Sequence, residues 1–269
     1  MNPKTDNKPV WWGKFSLSED QAGQWRIGPC KFWVERLRNE WRITCLNNDD
    51  HLEDTFEMKL PVSPIEEYES AAKTTRFGMS KPAENLLITP ALADRSVVIR
   101  PEIPFYILQG QKVDFFVDSP LWVKIEVSEP RVLLQDFPVY LPSDIWFGPS
   151  TMEGEYCYAN RIRGRLKLED IVFRPHRAVT VVHLRNRSEK SVFLERLSLP
   201  VPNLALYEDK DGYLWTQSVT LEIMAGDKPS SLRFNQKAPS EAQGAKLVCG
   251  PREKPEENIM TRVMHYLIS

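Results

Sequence analysis

Residues 121–127 read Leu-Trp-Val-Lys-Ile-Glu-Val. Aliphatic side chains at the odd-numbered positions alternate with Trp122, Lys124 and Glu126 along the whole stretch. Successive side chains of a β-strand point to opposite faces of a sheet. The pattern therefore predicts a strand whose odd-numbered side chains face a core, while Trp122, Lys124 and Glu126 face outward. This stretch decides the fold class, because segments of the same kind recur along the chain.

Two pairs of such segments carry hairpin signals. Lys31–Leu37 and Glu40–Leu46 are separated only by Arg38-Asn39, and Asp211-Gly212 lies between two later apolar segments. Short polar turns of this kind connect antiparallel strands. Strand, polar turn and strand without an intervening helix predict an all-β fold with two β-sandwich halves, either immunoglobulin-like or jelly-roll-like.

The same pattern suggests where the chain divides. We expect residues 1–140 to form an N-terminal β-rich half with an acidic loop at 46–81, and residues 141–238 to form a C-terminal β-sandwich half. Residues 239–269 are expected to be a connector followed by an amphipathic helix. The helix is predicted by the apolar residues Ile259, Met260, Val263, Met264 and Leu267, which recur at helical spacing.

Residues 141–165 join the two predicted halves. Pro142 and Pro149 lack an amide donor, so we expect an ordered loop up to Met152. Trp146 and Phe147 are adjacent and should point opposite ways, one into the core and one towards solvent. Loops on a rigid scaffold often carry function, so this segment is either a candidate site or a proline-anchored crossover.

The charge of the chain limits its partners. The formal net charge is −2, which argues against a nucleic-acid binder. Residues 46–70 hold eight acidic residues and one lysine, a net charge of −7, whereas residues 161–196 hold ten basic and four acidic residues, a net charge of +6. The two segments are either solvated faces that attract each other weakly or a basic face that accepts an acidic partner.

The sequence predicts a cytoplasmic protein. The first nine residues contain no apolar segment typical of a secretory signal. No apolar run approaches the roughly 18 residues of a transmembrane helix. The four cysteines, Cys30, Cys45, Cys157 and Cys249, are widely separated, as expected for reduced thiols rather than a zinc or redox motif.

No motif in the chain indicates a cofactor or a metal. The four histidines are dispersed, and neither a phosphate-binding loop nor a dinucleotide fingerprint is present. Pro149 before Ser150 departs from the Gly-x-Ser-x-Gly motif of serine hydrolases. We therefore predict a non-enzymatic protein, with a hydrolase that uses Asp144, Glu155 and His176 as an alternative.

Eight tryptophans in an all-β chain also suggest ligand stacking. Most should be core anchors, and Trp122 and Trp146 are the best exposed candidates. A second alternative is therefore a small-ligand or carbohydrate site in a crevice between the two halves.

The chain resembles a family of prokaryotic proteins catalogued as a domain of unknown function. The resemblance extends from about Trp12 to Ile223 and rests on several short motifs, whereas the acidic stretch from Leu46 to Lys81 and the tail beyond Gly226 match poorly. Among them are Trp12-Gly-Lys-Phe, Trp25-Arg-Ile-Gly-Pro, Pro142-Ser-Asp, Trp146-Phe-Gly-Pro and Pro175-His-Arg. The family implies no catalytic residues. Its members are often encoded near small mechanosensitive channels, which implies a role beside a membrane complex.

These observations predict a non-enzymatic cytoplasmic β-sandwich protein that acts by binding another protein. The sequence leaves the identity of that partner open, and a second copy of the chain is one candidate. The binding surface should lie where the halves meet. Its predicted residues are Asp144, Trp146, Glu155, Tyr158, Arg161, His176 and Arg177.

Overall fold

The computed structural model describes residues 10–65, 69–80, 83–128, 131–148, 150–224 and 231–254. Within these ranges the regular structure is almost entirely β, with two three-residue 3₁₀ turns at Leu168–Asp170 and Val201–Asn203. The predicted all-β class is confirmed. The predicted C-terminal helix lies outside the described residues.

The strands are short and follow one another along the whole described chain. The first twelve are β1 Gly13–Ser16, β2 Gln21–Ile27, β3 Cys30–Leu37, β4 Glu40–Asn47, β5 Phe56–Val62, β6 Lys73–Gly78, β7 Asn85–Ala91, β8 Val97–Ile99, β9 Phe105–Ile107, β10 Lys112–Pro120, β11 Trp122–Val127 and β12 Val132–Pro138. The others are β13 Ser143–Phe147, β14 Glu155–Ala159, β15 Arg177–Asn186, β16 Val192–Leu194, β17 Leu197–Leu199, β18 Leu206–Glu208, β19 Leu214–Thr216, β20 Val219–Ile223, β21 Ser231–Phe234 and β22 Lys246–Cys249.

These strands form several sheets. A five-stranded antiparallel sheet has the order β5-β2-β3-β4-β6, and a four-stranded antiparallel sheet has the order β1-β7-β11-β12. A second four-stranded sheet has the order β13-β14-β8-β17, and β9 pairs with β16. The seven-stranded sheet runs β21-β20-β15-β19-β18-β22, with β10 on the other side of β15.

One large apolar cluster connects the sheets. It includes Trp25 and Phe32 of the five-stranded sheet, whose rings stack with centroids 5.2 Å apart. Phe137 of β12 meets Phe32 edge to face at 5.5 Å, which joins the five-stranded sheet to the first four-stranded sheet. Aromatic rings therefore fill the space between these two sheets, as expected for sheets that pack face to face.

Both predicted hairpin turns are confirmed. Arg38-Asn39 connects β3 to β4, whose ladder pairs Leu37 with Glu40. Asp211-Gly212 lies between β18 and β19, and Gly212 has φ of 80°. A left-handed backbone conformation of this kind strongly favours glycine, which explains why the dipeptide is informative.

The acidic loop predicted at 46–81 instead contains β5 and β6. These two strands form the edges of the five-stranded sheet, where β5 pairs with β2 and β6 pairs with β4. Most of their side chains are exposed or half-buried. An edge strand with few buried side chains lacks the apolar periodicity from which strands are predicted, and this is why the sequence misses both.

The loop predicted up to Met152 and the connector predicted from residue 239 also contain strands. β13 lies between Pro142 and Pro149, at the edge of its sheet. The two prolines flank the strand, so no hydrogen bond of its ladder is lost. β22 lies in the predicted connector and pairs with β18.

The prediction that Trp122 faces outward is wrong. Trp122 is only 4% exposed, although it alternates with the inward-facing residues of β11. β11 lies between β7 and β12, and the ring of Tyr158 covers Trp122 at a centroid distance of 5.6 Å. The even-numbered face of this strand is therefore covered at Trp122, whereas Lys124 and Glu126 remain half-buried.

The predicted division between residues 140 and 141 stays a prediction. Strands from both sides of it share a sheet, because β10 and β15 pair over nine residues, from Lys112 with Arg185 to Pro120 with Arg177. Trp11 Nε1 also donates to the Pro175 carbonyl oxygen at 2.8 Å. The region where β10, β15 and residues 174–177 meet is called the junction below.

Candidate functional site

The β13–β14 hairpin displays aromatic and acidic side chains on one face. Its register places Asp144 opposite Tyr158 and Trp146 opposite Tyr156. Directly opposite residues of an antiparallel pair lie on the same face. Tyr156 is 67% exposed, whereas Phe147, next to Trp146, is only 3% exposed. The prediction that one of the two adjacent aromatic residues is buried is therefore confirmed.

The ring of Trp146 is fixed in place. Its Nε1 donates to the Ser150 carbonyl oxygen at 2.7 Å, and its ring meets Tyr156 edge to face at 5.0 Å. The following loop folds back closely, since a Cβ atom on Gly154 would lie 2.7 Å from Cε2 of Trp146. The indole therefore presents a preorganised surface.

Charged groups border this aromatic pair. Arg95 Nη1 lies 3.2 Å from Asp144 Oδ1, and the Arg95 guanidinium lies over the Tyr158 ring at 5.2 Å. The Tyr158 hydroxyl donates to Asp94 Oδ1 at 2.9 Å. Partial burial, and then the hydrogen bond to Asp94, raise the pKa of Tyr158, so the hydroxyl stays protonated as a donor.

We name this exposed surface the hairpin face. It consists of Asp94, Arg95, Asp144, Trp146, Tyr156 and Tyr158.

Glu155 lies on the opposite side of the hairpin. It pairs in register with the buried Phe147, and its Oε1 accepts a hydrogen bond from Ser198 Oγ at 3.0 Å. Cys157 Sγ is 3.7 Å from the same hydroxyl. Burial raises the pKa of Cys157 to about 12, so the thiol is protonated and a poor nucleophile at neutral pH.

Arg177 is the centre of a buried polar network at the junction. Its Nε lies 2.9 Å from Asp118 Oδ2, and its Nη2 donates to Asp118 Oδ1 at 3.1 Å and to Asn160 Oδ1 at 2.6 Å. The guanidinium groups of Arg177 and Arg161 each lie 5.7 Å from the Tyr140 ring centroid. Arg177 is 3% exposed, so its charge is neutralised inside the protein rather than offered to a ligand.

His176 is packed beside this network and is fully buried. Burial, and then the nearby charge of Arg177, lower its pKa to about 3, so the imidazole is neutral at physiological pH. Neither ring nitrogen has a hydrogen bond of ordinary geometry within the described residues, although the His51 backbone favours the charged form. Gly28 packs so closely that a Cβ there would lie 2.5 Å from Nδ1.

The acidic segment reaches the junction through its backbone. Arg161 Nη1 donates to the Asp49 carbonyl oxygen and Arg174 Nε donates to the Leu52 carbonyl oxygen, each at 3.4 Å. The acidic and basic segments therefore meet, but these bonds use carbonyl oxygens rather than carboxylates.

The predicted site residues thus divide into groups. Asp144, Trp146 and Tyr158 share the hairpin face, while Arg161, His176 and Arg177 belong to the junction. Glu155 belongs to neither.

The geometry does not support the hydrolase alternative. Asp144 and Glu155 lie on opposite faces of one hairpin, and the imidazole of His176 is sealed from solvent. A general base must reach the proton that it removes. Among the described residues, no group of three or more His, Cys, Asp or Glu side chains is arranged to hold a metal ion.

Sequence reasoning missed several residues that complete these surfaces. Tyr156 could have been found, because it alternates with Tyr158 around Cys157 and so lies on the face of Tyr158. Asp94 and Arg95 come from a loop about fifty residues upstream, and Asp118 and Asn160 join Arg177 from different strands and loops. No local pattern connects residues so distant in the sequence.

In the described part of the chain no helix has the length and apolar character required to cross a bilayer.

The comparisons with known proteins agree with the resemblance seen in the sequence. No curated protein and no solved structure matches the chain. The family match extends past Ile223, where the sequence resemblance ended, and includes the acidic segment. The model of the family described as "Protein of unknown function (DUF432)" matches residues 11–268, and the chain belongs to that family.

Proposed function

We propose that this chain is a non-enzymatic cytoplasmic protein that acts by binding another protein through the hairpin face. One observation carries the proposal: Tyr156 is 67% exposed beside an indole that is already held in position. Tyrosine and tryptophan are enriched in interfaces and dominate their binding energy. A fixed ring also loses little conformational entropy when it becomes buried.

The surroundings of the hairpin face indicate the chemistry of its partner. Met152 and Leu141, in the segments that flank β13, are 89% and 57% exposed. Asp94 and Asp144 outnumber Arg95, the only cation of the hairpin face as defined above. A partner surface with apolar side chains next to a lysine or arginine complements this arrangement.

The four cysteines support the cytoplasmic location. All four cysteines are free, as is usual in a reducing compartment. The family resemblance implies a role beside a membrane complex, so a cytoplasmic part of such a complex is the first partner to test.

The first prediction concerns Tyr156. Replacing Tyr156 by alanine should weaken binding to the partner by about 30-fold, since truncating an interface anchor costs about 2 kcal/mol. The free energy of unfolding should change by less than about 0.5 kcal/mol, because the side chain is mostly exposed. A pull-down followed by titration calorimetry with the recovered protein measures the first effect, and urea denaturation measures the second.

Tyr106 provides a matched control. It is 65% exposed and lies on β9, in another sheet. Tyr106→Ala should leave the partner and its affinity unchanged. Equal binding by Tyr156→Ala and the unaltered chain would remove the hairpin face from the proposal.

A further inference from the structure

A cavity at the junction carries an inference that goes beyond the proposed function. Its volume is about 250 Å³, and it is lined by residues 10–12, 54, 56, 173–175 and 212–214. Residues from both predicted halves of the chain therefore line it. Its aromatic lining consists of Trp11, Trp12, Phe56, Phe173 and Tyr213. We call it the junction pocket.

The aromatic rings of the junction pocket form two pairs. Trp11 and Trp12 are perpendicular, with centroids 5.3 Å apart, and Phe173 stacks on Tyr213 at 4.4 Å. Trp11 is only 1% exposed, so Trp12, Phe56, Phe173 and Tyr213 supply most of the accessible aromatic surface. The faces of aromatic rings carry partial negative charge and attract cations, and cages of such rings bind alkylated ammonium groups.

Two charged side chains of opposite sign complete the lining. Asp54 is exposed, and its carboxylate adds negative charge near the rings. Arg174 is held by hydrogen bonds from Nε to the Leu52 carbonyl oxygen and from Nη1 to the Val172 carbonyl oxygen, at 3.4 and 3.3 Å. Neither bond uses Nη2. The guanidinium is therefore positioned at the pocket by its own contacts, and among the described residues Nη2 retains a donor for an anion.

These features together define a ligand class. The lining carries one positive and one negative side chain, so it complements a molecule with both charges better than a simple cation or anion. The volume lies just below the usual range of small-molecule sites, so the ligand must be small. A neutral sugar would use the rings, but it would leave the two charges without partners.

We propose that the junction pocket binds a small zwitterion that carries an alkylated ammonium group and a carboxylate. The ammonium group contacts the aromatic rings near Asp54, and the carboxylate pairs with Arg174. This site is separate from the hairpin face, and its occupancy does not depend on a protein partner.

Titration calorimetry on the full chain tests this proposal with four probes. Glycine betaine should bind, and 3,3-dimethylbutanoate, which has the same shape without the positive charge, should bind at least about fivefold more weakly. Choline, which lacks the carboxylate, should also bind more weakly. Methyl glucoside should not bind.

Variants of the pocket provide the second part of the test. Asp54→Asn and Tyr213→Leu should each weaken betaine binding by about fivefold. Tyr156→Leu, on the hairpin face, should leave it unchanged. Asp54 is exposed, so its variant reports on binding even where Tyr213→Leu impairs folding.

Three results would overturn the proposal. One is the absence of betaine binding at concentrations up to about 20 mM, because a dissociation constant above that value is weaker than those of most specific ligands. Another is equal binding of betaine and 3,3-dimethylbutanoate, which would leave no role for the cation. The third is binding of methyl glucoside alone, which would assign the pocket to sugars. None of these results affects the test of the hairpin face with Tyr156.

Discussion

Replacing Asp118 by alanine should lower the free energy of unfolding by about 3–5 kcal/mol, because it leaves the charge of Arg177 buried without its counterion. Asp118 and Arg177 are each 3% exposed, and the carboxylate accounts for both the ion pair at Nε and a hydrogen bond from Nη2. Water cannot replace these contacts without opening the junction. Urea denaturation at pH 7 measures the effect.

A surface ion pair supplies the control for this prediction. Arg131 Nη2 lies 2.7 Å from Glu126 Oε2, and the side chains of Arg131 and Glu126 are 68% and 15% exposed. Glu126→Ala should lower the free energy of unfolding by less than Asp118→Ala does, since solvent screens the exposed Arg131 end of the pair. A double variant, Asp118→Leu with Arg177→Met, should recover much of the loss, because it removes both buried charges. A loss below about 1 kcal/mol for Asp118→Ala would show that the network does not stabilise the junction.

Lowering the pH from 7 to 5 should reduce the free energy of unfolding by about 2 kcal/mol through His176 alone. The pKa of His176 is lowered to about 3 in the folded protein by burial and by Arg177. The unfolded chain therefore binds a proton that the folded chain does not. The contribution is complete above the ordinary pKa of histidine and is lost as the pH falls, by about 1.4 kcal/mol for each pH unit.

Other groups with shifted pKa values act in both directions. Burial raises the pKa of Glu208, so Glu208 opposes the loss of stability as the pH falls. Burial and the charges of Arg161 and Arg177 also lower the pKa of His51, so His51 adds to the loss. Hydrogen bonds lower the pKa of Glu40 and of Glu53. The stability that these two carboxylates contribute is lost only at lower pH, below the ordinary pKa of a glutamate.

The variant His176→Asn isolates this contribution. It lacks the titrating imidazole, so its stability should depend less steeply on pH between 5 and 7, whatever its stability at pH 7. Urea denaturation at several pH values gives both slopes. Parallel slopes for the variant and the unaltered chain would contradict a buried, neutral His176.

The sequence was most informative where the chain has one buried and one exposed face or a constrained turn. Arg38-Asn39 and Asp211-Gly212 predicted their hairpins, since turns are determined by residues next to each other. It was least informative where burial depends on distant segments. Trp122 alternates like an exposed residue and is buried by Tyr158, and β5 is a strand because β2 pairs with it.

The candidate site shows the same division. Trp146 and Tyr158 could be selected because the hairpin is local and its register follows from one turn. His176 and Arg177 belonged to the same predicted surface, but they are buried by segments distant in the sequence, among them Gly28 and Asn160. A motif can indicate that residues matter together, whereas their exposure depends on tertiary packing.

The central claim is that this protein binds its partner protein through the hairpin face. Site-specific photo-crosslinking tests this claim most directly. A photoreactive phenylalanine analogue is placed at position 156 in one variant and at the equally exposed position 106 in another. We expect position 156 to give one discrete covalent adduct in cells, abolished by Trp146→Ala, and position 106 to give none. No adduct from position 156, or the same adduct from both positions, would contradict the account.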